Sequence, residues 1–81
     1  MKVRDIIKAI EMWYTVIIEK SENNYGAWAP DLPGCVTTGP TVDETLANMR
    51  EAIEFHLEGM REDGEPIPVP TTTATVIEVA A

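Results

Sequence analysis

The chain has little cysteine, histidine and basic charge: one Cys and one His in 81 residues, and six basic side chains against 14 acidic ones. A single cysteine excludes an internal disulfide, which favours a reducing, cytoplasmic location. The formal net charge of -8 opposes direct binding to DNA or RNA, because Lys and Arg must replace counterions along the phosphates. The same charge suits a basic partner, since opposite fields speed encounter.

Long apolar runs are also lacking. Asp5, Lys8 and Glu11 interrupt the apolar side chains at the start, so neither a signal-peptide core nor a membrane span is expected there or elsewhere. The length of 81 residues indicates one domain. A chain of this size buries only roughly 60–65% of its unfolded surface, so self-association would add to its stability.

The first 11 residues place Val3, Ile6, Ile7 and Ile10 at helical spacing, which predicts a short amphipathic helix over 1–11. Such a helix is too short to be stable alone. Its apolar side therefore docks on its own domain or on a second copy, or it serves as a partner-binding arm.

The next stretch is β-branched and aromatic and predicts a strand over 12–20, with apolar side chains on both faces. A Ser-Glu-Asn-Asn turn at 21–24 suits a hairpin to a second strand over 25–29.

A corner then separates the second strand from a third. Pro30 and Pro33 lack the N–H that a sheet ladder needs, and Gly34 permits a sharp change of direction. Residues 35–38 resume as a short strand, which completes a three-stranded meander.

A capped helix follows the meander. Thr41 with Glu44 three residues later is a capping-box pattern, and Gly64 is a natural end. The apolar stripe expected to face the sheet consists of Val42, Leu46, Met49, Ile53, Leu57 and Met60.

The end of the chain is Pro-rich and then strand-like. Residues 65–70 are expected to run extended, and 73–79 to form a final strand parallel to a neighbour, plausibly the first. One helix covers only one face of such a sheet. The other face then carries an apolar patch, drawn from Trp13, Thr15, Ile17, Trp28 and Val76, that implies association.

Three segments carry a resemblance to a known family: YTVIIEK at 14–20, the corner PDLPGC at 30–35, and a helix ending in REDGEPIP at 61–68. Over roughly residues 13–80 they resemble the N-terminal domain of HicB, the antitoxin of HicA–HicB toxin–antitoxin pairs. The resemblance implies an α+β, partial RNase H-like β-β-β-α-β fold over 12–81, preceded by the helix at 1–11. That helix is itself similar to the first helix of HicA and is interpreted as a possible remnant of it.

The resemblance also implies a function. A HicB-like antitoxin binds and neutralises a small basic mRNA-cleaving HicA-type toxin by protein–protein contact, here as a homodimer or higher oligomer and without a cofactor. The alternative is an orphan interaction or scaffold module without a toxin. The family's C-terminal DNA-binding domain has no counterpart in these 81 residues, so direct DNA binding is not expected.

The candidate partner-binding residues are two aromatic anchors and the corner. They are Trp13, Trp28, Pro30, Asp31, Leu32, Pro33, Gly34 and Cys35. Each Trp has a competing interpretation as a core residue beneath the helix.

Groups with possible chemistry favour a structural interpretation. Glu19 and Glu78 lie on strands that are expected to be adjacent. A two-metal site needs several converging carboxylates, so solvated side chains are the better interpretation of these two residues. No enzyme activity is therefore expected. His56 is expected to be partly buried on the helix, and Cys35 to be a small packing residue.

Overall fold

The computed structural model describes residues 11–81, and the predicted helix over 1–11 falls almost entirely outside them. Three strands follow one another as β1 (Ile17–Lys20), β2 (Tyr25–Trp28) and β3 (Val36–Gly39), and the helix α1 (Val42–Glu62) follows them. The sheet order is β1-β2-β3 with both pairs antiparallel, so the predicted meander and helix are confirmed. The first strand is shorter than predicted.

Two successive turns build the corner between β2 and β3. The N–H of Leu32 donates to the carbonyl of Ala29, and the N–H of Cys35 donates to the carbonyl of Leu32, each at 3.0 Å. Each turn has a proline at its second position, and Gly34 at the third position of the second turn has φ 83°. Proline followed by a residue with positive φ is the pattern of a type II turn, which explains the Pro-Gly pair.

Helix α1 begins and ends at the predicted residues. The Thr41 hydroxyl accepts from the N–H of Glu44 at 3.1 Å. At the other end Gly64 has φ 72°, its N–H donates to the Arg61 carbonyl, and the N–H of Glu65 donates to the Met60 carbonyl. This pair of bonds is a Schellman motif, which requires a residue that adopts positive φ readily.

The core lies between α1 and the sheet. Its buried apolar members are Ala27, Ala29, Leu32, Cys35, Met49 and Leu57. The buried helix face differs from the predicted stripe, because Thr45 is fully buried whereas Val42 and Leu46 are 40% and 43% exposed. Thr45 is accommodated because its hydroxyl donates to the Thr41 carbonyl at 2.6 Å.

Close approach of α1 to β3 explains why position 39 is glycine. A Cβ atom at Gly39 would lie 2.5 Å from the Thr45 hydroxyl oxygen and 2.9 Å from the Thr45 backbone nitrogen. Only glycine therefore allows the end of β3 to contact the first turns of the helix.

The chain after α1 differs from prediction. The Pro-rich stretch 65–70 contains no helix or strand, and its Ile67 packs against the core. Residues 73–79 form no strand either, so the predicted fourth strand is wrong for the single chain. Residues 73–81 are all exposed. The prediction failed because β-branched composition favours a strand, but a strand forms only where an edge pairs with it, and that pairing is set by tertiary structure.

Asp31 holds the returning chain to the corner. Its carboxylate accepts from the backbone N–H groups and the hydroxyls of Thr71 and Thr72 at 2.8–3.1 Å. On the other side the Thr15 hydroxyl donates to the carbonyl of Thr72, and the Tyr14 hydroxyl donates to that of Pro68 at 2.6 Å. Within residues 11–81, no side-chain hydrogen bond of this kind involves a residue after Thr72.

These bonds set the ionisation of Asp31. Donation from the Thr71 N–H, followed by the Thr72 hydroxyl and N–H, lowers the pKa of Asp31 from 3.8 to about 2. A folded-state pKa below the unfolded one means that the carboxylate stabilises the docked segment above pH 3.8, and that this contribution is lost as pH falls toward about 2.

Substitution of Gly39 should destabilise the fold. We expect Gly39→Ala to lower the free energy of unfolding by about 2 kcal/mol, because the Thr45 backbone must move to admit the methyl group. Gly26→Ala is the matched control on β2, where the nearest atom is the Thr37 carbonyl oxygen at 3.9 Å. Urea unfolding measures both, and equal stability of the two variants would contradict the close approach.

Removal of the Asp31 charge should release the segment that it holds. We expect Asp31→Asn to speed amide exchange at Thr71 and Thr72 at neutral pH. The variant should also lack the acid-dependent release that we expect of the unsubstituted chain between pH 3.8 and about 2. Glu22→Gln, in the exposed hairpin turn, is the charge-matched control. Unchanged exchange at Thr71 in Asp31→Asn would show that other contacts dock the segment.

Candidate partner-binding surface

The strand register places an apolar row on the sheet face turned away from α1. Ile17 pairs with Trp28, and Trp28 pairs with Val36, so these three side chains lie side by side across the strands. Their neighbours Ile18, Ala27 and Thr37 point to the helix side, since successive side chains alternate. We call the surface formed by Ile17, Glu19, Trp28, Val36 and Thr38 the open face.

The open face is apolar at its centre and accessible. Trp28 is 39% exposed and Val36 is 67% exposed, whereas Ile17 is half-buried. None of these three side chains is buried by the part of the chain that the structure describes. An indole between two β-branched side chains presents a large rigid apolar area at low cost in side-chain entropy.

Glu19 fixes the orientation of the Trp28 ring. The indole Nε1 donates to the Glu19 Oε1 atom at 2.8 Å, from β2 to β1 on the same face. This bond satisfies the polar end of the ring and leaves its flat surface free. The open face therefore presents a preoriented aromatic group beside a carboxylate that also retains an acceptor oxygen.

The two predicted aromatic anchors occupy different environments. Trp28 lies at the centre of the open face, whereas Trp13 lies outside the paired strands and borders a groove between residues 11–16 and α1. Trp13 is 81% exposed. Neither ring fills the core beneath the helix, so the competing core interpretation fails for both.

The corner residues divide between core and surface. Leu32 is 0% exposed and Cys35 is 4% exposed, so both pack inside. Burial also raises the pKa of the Cys35 thiol, which keeps it in the less reactive protonated form. Pro33 and Gly34 are exposed, and Asp31 is engaged by Thr71 and Thr72. Of the corner, only its tip is free to contact another molecule.

Sequence patterning missed part of this surface. Val36 was open to prediction, because alternation after a buried Cys35 places the next side chain on the opposite face. The 80% exposure of Phe55 on α1 could not be predicted in this way, because it depends on how the helix is rotated on the sheet. The role of Asp31 had no local signal because its partners lie 40 and 41 residues away.

The side chains that were considered for catalysis or metal binding have separate environments. Glu19 bonds to Trp28, Glu78 is exposed in the unpaired end segment, and His56 is half-buried on α1. Within residues 11–81 no three His, Cys, Asp or Glu side chains converge as a metal site would require. Over the same residues, no helix combines the length and the apolar character needed to cross a bilayer.

Comparison with known proteins identifies the fold's relatives. Residues 14–80 match the family model described as the HicB_like antitoxin of bacterial toxin–antitoxin systems. A 14.9 kDa protein of Haemophilus phage HP1, from its rep-hol intergenic region, is 47% identical over 57 residues, which are 70% of this chain and 43% of that protein.

Two further relatives differ in how much of their own length is matched. A UPF0150 protein of Thermoplasma acidophilum is 47% identical over 58 residues, 70% of this chain and 84% of that protein. The Antitoxin HicB 2 of Photorhabdus laumondii is 34% identical over 71 residues, 86% of this chain but only 51% of that protein. The chain therefore spans about half of the phage and Photorhabdus relatives and most of the archaeal one.

The match covers all three strands, the double-turn corner, the capped helix and the returning segment. The resemblance found in the sequence is confirmed, and the chain belongs to the HicB-like antitoxin family.

Proposed function

We propose that this chain neutralises a small basic HicA-type mRNA-cleaving toxin by protein–protein contact, in the cytoplasm and in a self-associated form. The observation that carries the proposal is the exposed apolar row of the open face in a member of an antitoxin family. The role is one of binding, and it requires no cofactor and no catalytic group of this chain.

The open face supports the contact itself. Trp28 is held by Glu19 with its ring partly exposed, and Val36 extends the apolar area beside it. A large aromatic side chain at the centre of an interface contributes more binding free energy than most of its neighbours. The exposed tip of the corner at Pro33 and Gly34 and the exposed Trp13 are proposed as further contacts.

The charge of the chain supports the choice of a basic partner. Helix α1 carries six acidic and two basic side chains, and the whole chain has a net charge of -8. Such a field accelerates encounter with a positively charged protein and acts over about 8–10 Å at physiological salt. The same field repels nucleic acid phosphates, so the proposal includes no direct DNA contact by these residues.

The alternative is an orphan interaction module that has the fold without a toxin. It differs in one observable respect, because a toxin gene would be absent beside the gene for this chain. Purification with the product of an adjacent HicA-like gene, and protection of RNA from cleavage by that product, therefore discriminates between the two functions.

Substitution of Trp28 should weaken toxin binding. We expect Trp28→Ala to raise the dissociation constant for the purified HicA-type toxin roughly 30-fold or more, mainly through faster dissociation, because a central aromatic contact is lost. Raising the salt concentration should instead slow association of the unsubstituted chain. Surface plasmon resonance separates the two rates.

Phe55→Ala is the matched control, since it removes an aromatic side chain that is 80% exposed on α1, away from the open face. Circular dichroism and urea unfolding verify that Trp28→Ala remains folded. A folded Trp28→Ala that binds the toxin as tightly as Phe55→Ala would contradict binding through the open face. Failure of the unsubstituted chain to bind or to protect RNA would overturn the proposed function.

A further inference from the structure

Residues 73–79 have the composition of a β-strand but pair with no strand of the described sheet. Residues 73–79 read TATVIEV, which is rich in β-branched side chains. Val76 is 95% exposed, Ile77 76% and Val79 73%. Alternation places Val76 on one side of an extended segment and the other two on the opposite side. A segment with apolar groups on both sides is suited to a sheet, not to solvent.

The start of this segment is attached to the fold, whereas the rest of it is unpaired. Asp31 and Thr15 hold Thr72 beside the corner and the residues leading into β1. From that point residues 73–81 extend into solvent, and within residues 11–81 no strand pairing joins them to the sheet. The anchored end is thus fixed, while residues 73–79 remain available to another molecule.

The two edges of the sheet are not equivalent acceptors. On β3, the Asn48 side chain of α1 already donates to the Thr38 carbonyl at 3.0 Å and occupies part of that edge. The outer edge of β1 has no such cover among the described residues. An uncovered strand edge presents a row of N–H and C=O groups that pairs readily with another strand.

The side chains around β1 also match those of the segment. Val16 and Ile18 are half-buried on the helix side of β1, and Ile17 is half-buried on the open face, so an added strand would find apolar neighbours on both sides. The segment carries one charge, Glu78, and Lys20 of β1 is the one basic side chain on the three strands. The contact is therefore apolar with a complementary charge pair available.

From these features we propose that residues 73–79 of one copy add as a strand to the outer edge of β1 in a second copy, and reciprocally. Both complementary parts, the free strand and the free edge, belong to the same chain, so the exchange closes with twofold symmetry. The acidic side chains of α1 are outside the pairing elements, which limits charge repulsion at the contact. This proposal specifies how the chain self-associates and does not depend on a toxin.

Sedimentation equilibrium of the full chain without any toxin tests the exchange. Successive N–H groups of a strand point in opposite directions, so proline at both Val76 and Ile77 removes one ladder hydrogen bond from each of the two added strands in either register. A dimer is expected, and the double variant Val76→Pro with Ile77→Pro should raise its dissociation constant roughly 30-fold. The monomer should remain folded, since Val76 is 95% and Ile77 76% exposed. Ala80→Pro, just outside the segment, is the matched control and should dimerise as the unsubstituted chain does.

A mixture of isotope-labelled and unlabelled copies decides which chain supplies the strand. Filtered nuclear Overhauser spectra should show contacts between the methyl groups of Ile77 or Val79 in one copy and those of Val16 or Ile18 in the other. A monomer, a dimer unaffected by the double proline variant, or contacts confined within one copy would each overturn the proposal. Because no toxin is present, none of these results bears on toxin neutralisation.

Discussion

The carboxylate of Asp31 determines the course of the last part of the chain. It joins the corner after β2 to Thr71 and Thr72 through bonds to both backbone N–H groups and both hydroxyls. A carboxylate that accepts this many donors is held in its charged form, as its lowered pKa indicates. Together with Tyr14 and Thr15, it carries the chain across the end of the sheet. The returning chain therefore belongs to the fold as far as Thr72, and residues 73–81 are exposed.

A second constraint is that one helix has to cover a sheet with two apolar faces. Helix α1 approaches β3 so closely that only glycine fits at position 39, and this contact fixes the helix on one face. The opposite face retains Trp28 and Val36 at the surface. An accessible apolar row of this kind is typical of proteins that act through a partner. The three strands and the helix thus leave an accessible apolar surface on the face that the helix does not cover.

Charge and apolar surface are separated in this molecule, and the separation permits two kinds of contact. Six of the 14 acidic side chains lie on α1, whereas the open face and the end segment 73–79 carry one each, Glu19 and Glu78. In the proposed function, attraction of a basic partner and apolar contact with it would therefore come mainly from different elements. The proposed strand addition and the open face share Ile17 of β1, so the two proposed contacts adjoin along that strand.

The amino-acid sequence by itself determined the local structure and the family. Proline and glycine defined the corner, Thr41 and Gly64 defined the ends of the helix, and alternation defined the strands, because each depends on neighbours within a few residues. Only the tertiary structure decided which face of α1 is buried, that Trp28 lies on the open face, and that Asp31 binds Thr71 and Thr72. It also decided that 73–79 stay unpaired. These outcomes depend on packing between residues far apart in sequence, and no local pattern encodes such contacts.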